Sequence, residues 1–382
     1  MARYRFGDVV KEVKINVNRD NNPYEFYVAG DHMDSEDLII RRKGRFLTDD
    51  VGPAFTRIFH PGQVLYGSRR TYLKKVAIAD FDGICANTTF VLETKDNNIF
   101  TQELLPFIML SDRFTEWSVS HSKGSTNPYV LFSDLADFEI ELPDINTQRS
   151  LAKKLTSAHN VKESYKTLQK CTDEMVKSQF IEMFGNPMVE EQKYPLKKLG
   201  DCCVINPKRS KIALSDTDTV SFVPMPSVSE EGYLQDVSDA EYGSVKNGFT
   251  YFENGDVLFA KITPCMENGK GAIAHDLRNG IGMGSTEFHV LRPLKGRSNS
   301  YWLLTLTRLP EFRDRAAHNM SGTGGQQRVR ADFLENFMIG LPPIEKQIEL
   351  ETICRVADKS KFELKKSIEA IDKVIKSLIN NI

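Results

Sequence analysis

Two stretches of the chain, from about Gln148 to Phe184 and from about Glu345 to Ile382, contain neither glycine nor proline. Both carry apolar residues at alternating spacings of four and three. Val161, Tyr165, Leu168 and Met175, with Thr172 as a polar member, make the first series; Leu364, Ile368, Ile371, Ile375 and Leu378 make the second. This spacing predicts helices with a coiled-coil seam. Each has about 37 residues, so at 1.5 Å per residue it runs on the order of 55 Å. A helix that long cannot bury its stripe against one small domain, and the two are expected to pack on each other, antiparallel or parallel, as one rod. The first should stop at Gly185-Asn186-Pro187, a glycine able to turn left-handed followed by a proline that cannot continue a helix.

The residues ahead of each helix show the same order of patterns twice. Short apolar runs bounded by Gly, Asn and Asp predict strands: Val64-Leu65-Tyr66, Val76 to Ala79 and Thr88 to Leu92 in the first half, and Val257-Leu258-Phe259, Gly271 to Ala274 and Ser285 to Leu291 in the second. A helical segment follows in each, around Thr101 to Trp117 and Ser300 to Ala317. The phrase Leu142-Pro143-Asp144-Ile145-Asn146-Thr147-Gln148 returns 199 positions later as Leu341-Pro342-Pro343-Ile344-Glu345-Lys346-Gln347. The chain is thus an internal repeat of about half its length, each copy an α+β segment followed by a long helix.

Composition narrows the class. With 382 residues, 40% hydrophobic and 27% charged, the chain has enough apolar content for at least two cores. The longest apolar run, Leu104 to Leu110, contains Pro106 and falls far short of the roughly 18 to 20 residues of a membrane span. The opening Met-Ala-Arg-Tyr-Arg-Phe lacks the apolar core of a secretory signal, so a cytoplasmic location is expected. Six cysteines include no Cys-x-x-Cys pair, which predicts scattered reduced thiols and no metal site. A net charge of -2 means that any grip on nucleic acid must be local or shared with a partner.

No catalytic constellation emerges. There is no phosphate-binding Gly-x-x-x-x-Gly-Lys loop and no His-Glu-x-x-His. Asn22-Pro23-Tyr24 and Asn127-Pro128-Tyr129 share part of the Asn-Pro-Pro-Tyr loop of adenine methyltransferases, but both lack the second proline and read as turns. The seven histidines sit in no triad-like arrangement.

What remains is polar chemistry on loops at matching places. Ser68-Arg69-Arg70-Thr71-Tyr72-Leu73-Lys74-Lys75 carries four positive charges and no acid, and the loop from Lys261 to Lys270 is rich in hydrogen-bonding side chains. Ser122 to Asn127 and Ser321 to Arg328 are Gly-containing polar loops. Arg and Lys match guanine edges, Asn and Gln match adenine, and backbone amides match phosphate. The candidate DNA contacts are Ser68, Arg69, Arg70, Tyr72, Lys74, Lys123 and Ser125 in the first half. In the second they are Lys261, Thr263, Asn268, Lys270, Gln327 and Arg328.

Three phrases in order, Gly255-Asp256-Val257-Leu258-Phe259-Ala260-Lys261-Ile262-Thr263-Pro264-Cys265-Met266-Glu267-Asn268-Gly269-Lys270, Gly284-Ser285-Thr286-Glu287-Phe288 and Leu341-Pro342-Pro343-Ile344-Glu345-Lys346-Gln347, have a degenerate copy in the first half. Together with the repeat, they make the chain resemble the specificity subunit of type I restriction-modification systems along essentially its whole length. The resemblance implies an α+β fold with a pseudo-twofold internal repeat. Target recognition domains at 1–142 and 188–340 would be separated by conserved spacer helices at 143–187 and 341–382, packed as an antiparallel coiled coil. It further implies a non-catalytic chain that reads a bipartite double-stranded DNA target. Its partners would be two methyltransferase (modification) subunits carrying S-adenosylmethionine and motor-nuclease subunits using ATP, with no cofactor on the chain itself. A protein-binding coiled-coil scaffold without base readout is the rival reading. Ser68-Arg69-Arg70-Thr71 replaces the Ile262-Thr263-Pro264 phrase in the first half, which leaves open which first-half residues touch bases.

Overall fold

The computed structural model describes residues 2–18, 22–187, 189, 191–209, 213–323 and 325–380; Gly324 of the second polar loop lies outside them. The chain divides into two compact units, residues 1–166 with 366–382, and residues 167–365. The division falls inside both long helices.

The first unit holds two four-stranded sheets. One orders Val10–Glu12, Thr89–Thr94, Val64–Gly67 and Val76–Ile78, all antiparallel. The other orders Gly44–Arg45, Phe26–Val28, Gly83–Ala86 and Phe55–Phe59, with the middle two strands parallel. A third pair joins Ala2–Arg5 to Glu139–Leu142. Helices Leu105–Leu110 and Asp112–Ser120 cover the first sheet, and Phe6, Tyr66, Phe100 and Phe114 fill the core between them.

The second unit repeats this plan. Cys203–Ile205, Phe288–Pro293, Val257–Ala260 and Gly271–Ile273 form its antiparallel sheet. Ser238–Glu241, Thr219–Val223, Ile281–Gly284 and Thr250–Glu253 form the mixed one. Leu196–Lys198 pairs with Met338–Gly340. Here Phe259, Trp302, Leu306 and Phe312 build the core under helices Ser300–Arg308 and Pro310–His318. The expected single helical segments are each broken in two. Ser111 caps a second helix by accepting the Phe114 amide at 3.2 Å, and Pro310 starts one at a position that needs no N–H.

The two long helices run Ile145–Phe184 and Ile344–Asn380. Asp144 starts the first by accepting the Asn146 and Thr147 amides at 3.0 and 3.1 Å. Gly185, at φ 85°, ends it. The glutamine of the repeated Leu-Pro phrase fixes each start. Gln148 is buried, donates to the carbonyls of Pro143 and Ile99 at 2.9 Å each, and accepts the Thr101 amide at 3.2 Å. Gln347 does the same with the carbonyls of Pro342 and Arg297, at 3.0 and 2.8 Å, and the Asn299 amide at 3.0 Å. One side chain per repeat therefore ties the helix to the loop after the central sheet and satisfies three backbone groups.

Within each unit the helix segments pack antiparallel. In the first, Leu151, Ala152 and Leu155 share a core with Ile375, Leu378 and Ile379, while Lys162 pairs with Asp372 at 2.5 Å. In the second, Val176, Phe180 and Phe184 share a core with Leu350, Cys354 and Ala357, and Lys361 pairs with Asp173 at 3.6 Å. Leu364, Ile368, Ile371, Ile375 and Leu378 are half-buried, on the face the sequence predicts. The first helix requires a correction: Val161, Leu168 and Met175 are 43%, 49% and 45% exposed, and Tyr165 is half-buried. Its seam lies one residue further along, through Leu155, Lys162, Gln169 and Val176. The heptad period is right, but partners at both ends select a face whose middle is polar, with Gln169 donating to the Lys361 carbonyl at 3.2 Å.

Candidate nucleic-acid interface

The sequence places two polar loops in each half, and the fold joins them. In the first unit the central strand Val64–Gly67 leaves the sheet into Ser68, whose carbonyl accepts the Val130 amide at 2.9 Å. Arg70 then donates to the Pro128 carbonyl at 2.7 Å, and Lys123 and Tyr129 exchange backbone bonds at 2.7 and 3.0 Å. In the second unit the Lys261 carbonyl accepts the Val329 amide at 2.8 Å, and Thr263 donates to the Gln327 carbonyl at 3.0 Å. Met320–Ser321 pairs with Arg328–Val329. Both units therefore carry the same device, a post-strand loop bonded to a hairpin closed by Lys123 and Tyr129 in one and by Ser321 and Arg328 in the other.

In the first unit Arg69, Arg70, Tyr72 and Ser125 are exposed. Arg70 and Lys74 bracket the turn Thr71–Leu73 with φ of 51° and 48°, a left-handed conformation uncommon for residues with side chains and enriched at functional loops. Lys123 is half-exposed and pairs with Asp134 at 3.0 Å. Two candidates are withdrawn from the surface. Ser68 is buried and donates its hydroxyl to the Thr88 carbonyl at 2.7 Å. The Lys74 ammonium lies 2.9 Å from Asp112 and 3.3 Å from Glu36, so it holds the loop onto the Asp112–Ser120 helix.

In the second unit Gln327 and Asn268 are exposed, and Lys261, Thr263, Lys270 and Arg328 are half-buried. Asn268 donates to Glu230 at 3.0 Å and the Thr263 hydroxyl to Glu267 at 3.1 Å. Arg328 is held by Glu287, which keeps that carboxyl below the usual carboxylate range. Sequence reasoning missed Tyr129, exposed at the hairpin position that Arg328 occupies in the other unit. The 199-residue offset of the Leu-Pro phrases relates these two residues and was the available signal.

His289 supports the second hairpin from behind. It is buried, its Nε2 lies 2.9 Å from the Val329 carbonyl, and its Nδ1 lies 2.9 Å from the Asn206 amide nitrogen. The neutral ring with Nε2–H donating satisfies both contacts. Burial pushes its pKa below the ordinary value, against the Val329 bond and Glu287, which favour the charged form, and with Lys261, which does not. A histidine pKa depressed on folding gives stability that is present above the unfolded value, about 6.5, and is lost as pH falls toward the folded one. The Arg328 and Val329 amides should therefore lose exchange protection below about pH 6.5, after correction for intrinsic rates. His289→Gln should abolish that pH dependence.

Other reactive groups are internally matched. The six cysteines are unpaired thiols, and burial pushes those of Cys85 and Cys203 up to about 12. Among the described residues, Asp37, His159 and Glu163 bring potential metal-binding atoms within 4.8 Å of one another. Arg41 bridges both carboxylates and Lys166 pairs with Glu163, so the charges are already balanced by cations of the chain.

The type I restriction modification DNA specificity domain matches the chain twice, over residues 9–170 and 191–371. The chain belongs to that family. Each match takes in one interface device with the start of the helix that follows. Among curated proteins, the type I restriction enzyme EcoAI specificity subunit of Escherichia coli is 36% identical over 184 residues. That stretch is 47% of this chain and 31% of the relative. The EcoEI specificity subunit of the same organism is 33% identical over 186 residues, 47% of this chain and 31% of the relative. The matched stretch thus spans about a third of these relatives. Among solved structures, the type I restriction-modification S subunit from M. genitalium aligns with a TM-score of 0.55 at 12% identity, over 99% of this chain and 95% of that one. A chain from work on complex assembly and conformational transition of the type I R-M system gives 0.53 at 20% identity, over 99% and 96%. Both likenesses concern the fold. No described helix is long and apolar enough to cross a membrane.

Proposed function

We propose that this chain is the DNA specificity subunit of a type I restriction-modification complex, a non-catalytic protein that recognises a bipartite duplex target. The observation that carries the reading is the double construction of one interface device, in a chain that the specificity domain matches twice. The two loops differ in chemistry, arginines and an aromatic in one against amides and an anchored arginine in the other. Two such devices would read two different half-sites. Base edges in the major groove supply the discrimination. With a net charge of -2, much of the phosphate grip is assigned to partner subunits.

Those partners are two modification subunits, which would carry S-adenosylmethionine, and motor-nuclease subunits, which would carry ATP. Exposed apolar side chains on the long helices support helix-side docking: Val161 and Val374 in the first unit, and Leu168, Met175, Ile348 and Val356 in the second. Large exposed apolar groups recurring along a helix mark interaction surfaces. A cytoplasmic location follows from the same reading.

Because each long helix gives its two ends to different units, its length is the quantity expected to set how many base pairs stay unread. Removing residues 163–169 together with 365–371 leaves Lys162 opposite Asp372 and Asp173 opposite Lys361. It shortens each helix by two turns, about 10 Å, equivalent to about three base pairs. Sequencing of modified adenines in cells expressing the complex should show both half-sites unchanged and a spacer about three base pairs shorter. Altered half-sites with an unchanged spacer would sink the ruler. A single protected patch on DNA, or none, would favour the protein scaffold.

A further inference from the structure

Arg328 is prepared for more than a general contact with a polyanion. It lies on the second strand of the second unit's hairpin, paired with Ser321 on one side and bridged to Ile262 on the other, and its guanidinium has five N–H donors. Nε and Nη2 donate to the two carboxylate oxygens of Glu287 at 2.9 and 2.8 Å, and Nη1 donates to the Gln326 carbonyl at 2.9 Å. One N–H on each terminal nitrogen remains. Glu287 thus takes one edge of the fork and fixes its plane, while the side chain stays 39% exposed beside the exposed tip residues Thr323, Gln326 and Gln327.

Two consequences follow. A guanidinium whose charge is already matched by a carboxylate gains little from a phosphate, and the carboxylate itself repels one. Its two remaining donors still suit a neutral pair of acceptors, and O6 and N7 of guanine in the major groove are such a pair. Holding the fork in advance also lowers the side-chain entropy lost on contact. In the first unit the equivalent positions are Tyr129 and Thr88, whose carbonyl receives the Ser68 amide as that of Glu287 receives the Lys261 amide. This pairing belongs to the second unit.

We propose that Arg328 reads a guanine in the half-site recognised by the second unit, and that Glu287 is the positioning residue that holds the guanidinium for it. The proposal rests on the chain being a DNA specificity subunit, and the test separates the two. Duplexes are selected from a randomised pool by the full chain, alone and with its modification subunits. Wild type should enrich a bipartite motif. Arg328→Ala, which removes every side-chain donor, should lose one guanine of one half-site, with a discrimination loss of about 5- to 100-fold at that position, and leave the other half-site intact. Glu287→Gln should weaken the same position only, with unchanged thermal unfolding. Replacing that guanine by 7-deazaguanine, which lacks N7, should weaken wild type but not Arg328→Ala. Failure of wild type to enrich any motif overturns the DNA reading and the proposal with it. A motif whose guanines all survive Arg328→Ala overturns the Arg328 assignment alone. A guanine lost in Arg328→Ala but retained in full by Glu287→Gln overturns the positioning role.

Discussion

Gln347→Leu should unfold the second unit with about 3 to 5 kcal/mol less stability than the parent chain. The leucine fills similar volume but leaves the carbonyls of Pro342 and Arg297 and the amide of Asn299 without their partner. Gln347 is fully buried, so water cannot simply take its place, and each orphaned buried group costs about 1 to 3 kcal/mol before relaxation. Gln148→Leu should do the same to the first unit. The chain has two tryptophans, Trp117 in one unit and Trp302 in the other, so fluorescence in urea, with the other tryptophan changed to Phe, reports each unit separately. Equal loss in both units from one substitution, or less than 1 kcal/mol in the unit that carries it, would show that the glutamines do not staple their own unit.

The second large effect contrasts two related ion pairs. Lys162 and Asp372 in the first unit correspond to Lys361 and Asp173 in the second, with both helix positions displaced by 199. Asp173 is the buried version: Arg308 approaches it at 3.1 and 3.3 Å, Lys177 at 3.1 Å and Lys361 at 3.6 Å. Burial disfavours its charge, but the three cations win and hold its carboxyl below the usual range. Asp173→Ala strands those cations at a mostly buried site, and breaking such a cluster costs about 3 to 5 kcal/mol. Asp372 is half-exposed, and Asp372→Ala should cost about 1 kcal/mol or less. The depressed Asp173 pKa gives stability present above the unfolded carboxylate value, about 4, and lost as pH falls below it. Denaturant titrations of both variants at pH 7 and near pH 3.5 check this. The gap between them should narrow in acid, because the parent loses what Asp173→Ala already lacks.

The repeat preserves contacts while changing their chemistry, which is why half of it was hard to read. Asp256 in the second unit receives a two-point contact from Arg292 at 2.7 Å, while at the matching place Gln63 donates to Glu93 at 2.7 Å. A charge pair in one copy is an amide and a carboxylate in the other. Matching by residue type therefore found the Gly-Asp-Val-Leu-Phe phrase once and only an echo of it earlier. The mixed sheets were missed in both halves because strands such as Phe26–Val28 and Gly44–Arg45 are too short for a period of two to register. They are stabilised by neighbours far away in the chain.

The candidate interface was legible to different depths. That Arg69, Arg70, Tyr72, Ser125 and Gln327 lie at the surface could be read, because polar loops have no apolar face to bury. That Ser68 is turned inward and Lys74 tied to Asp112 could not be read, since the first depends on the Thr88 carbonyl at the neighbouring strand and the second on a helix some 40 residues away in sequence.

The sequence by itself determined the duplication, the length and boundaries of the long helices and the family, because these depend on local spacing, on breakers such as Gly185 and Pro187, and on phrases that recur at a fixed offset. Only the tertiary structure decided which face of the first helix is the seam and which loop cations stay free. A heptad specifies a period but not a phase. In the first helix two adjacent stripes satisfy it, and the polar one wins because Asp173, Lys162 and Gln169 find partners across the seam while Leu155 and Phe180 anchor its ends.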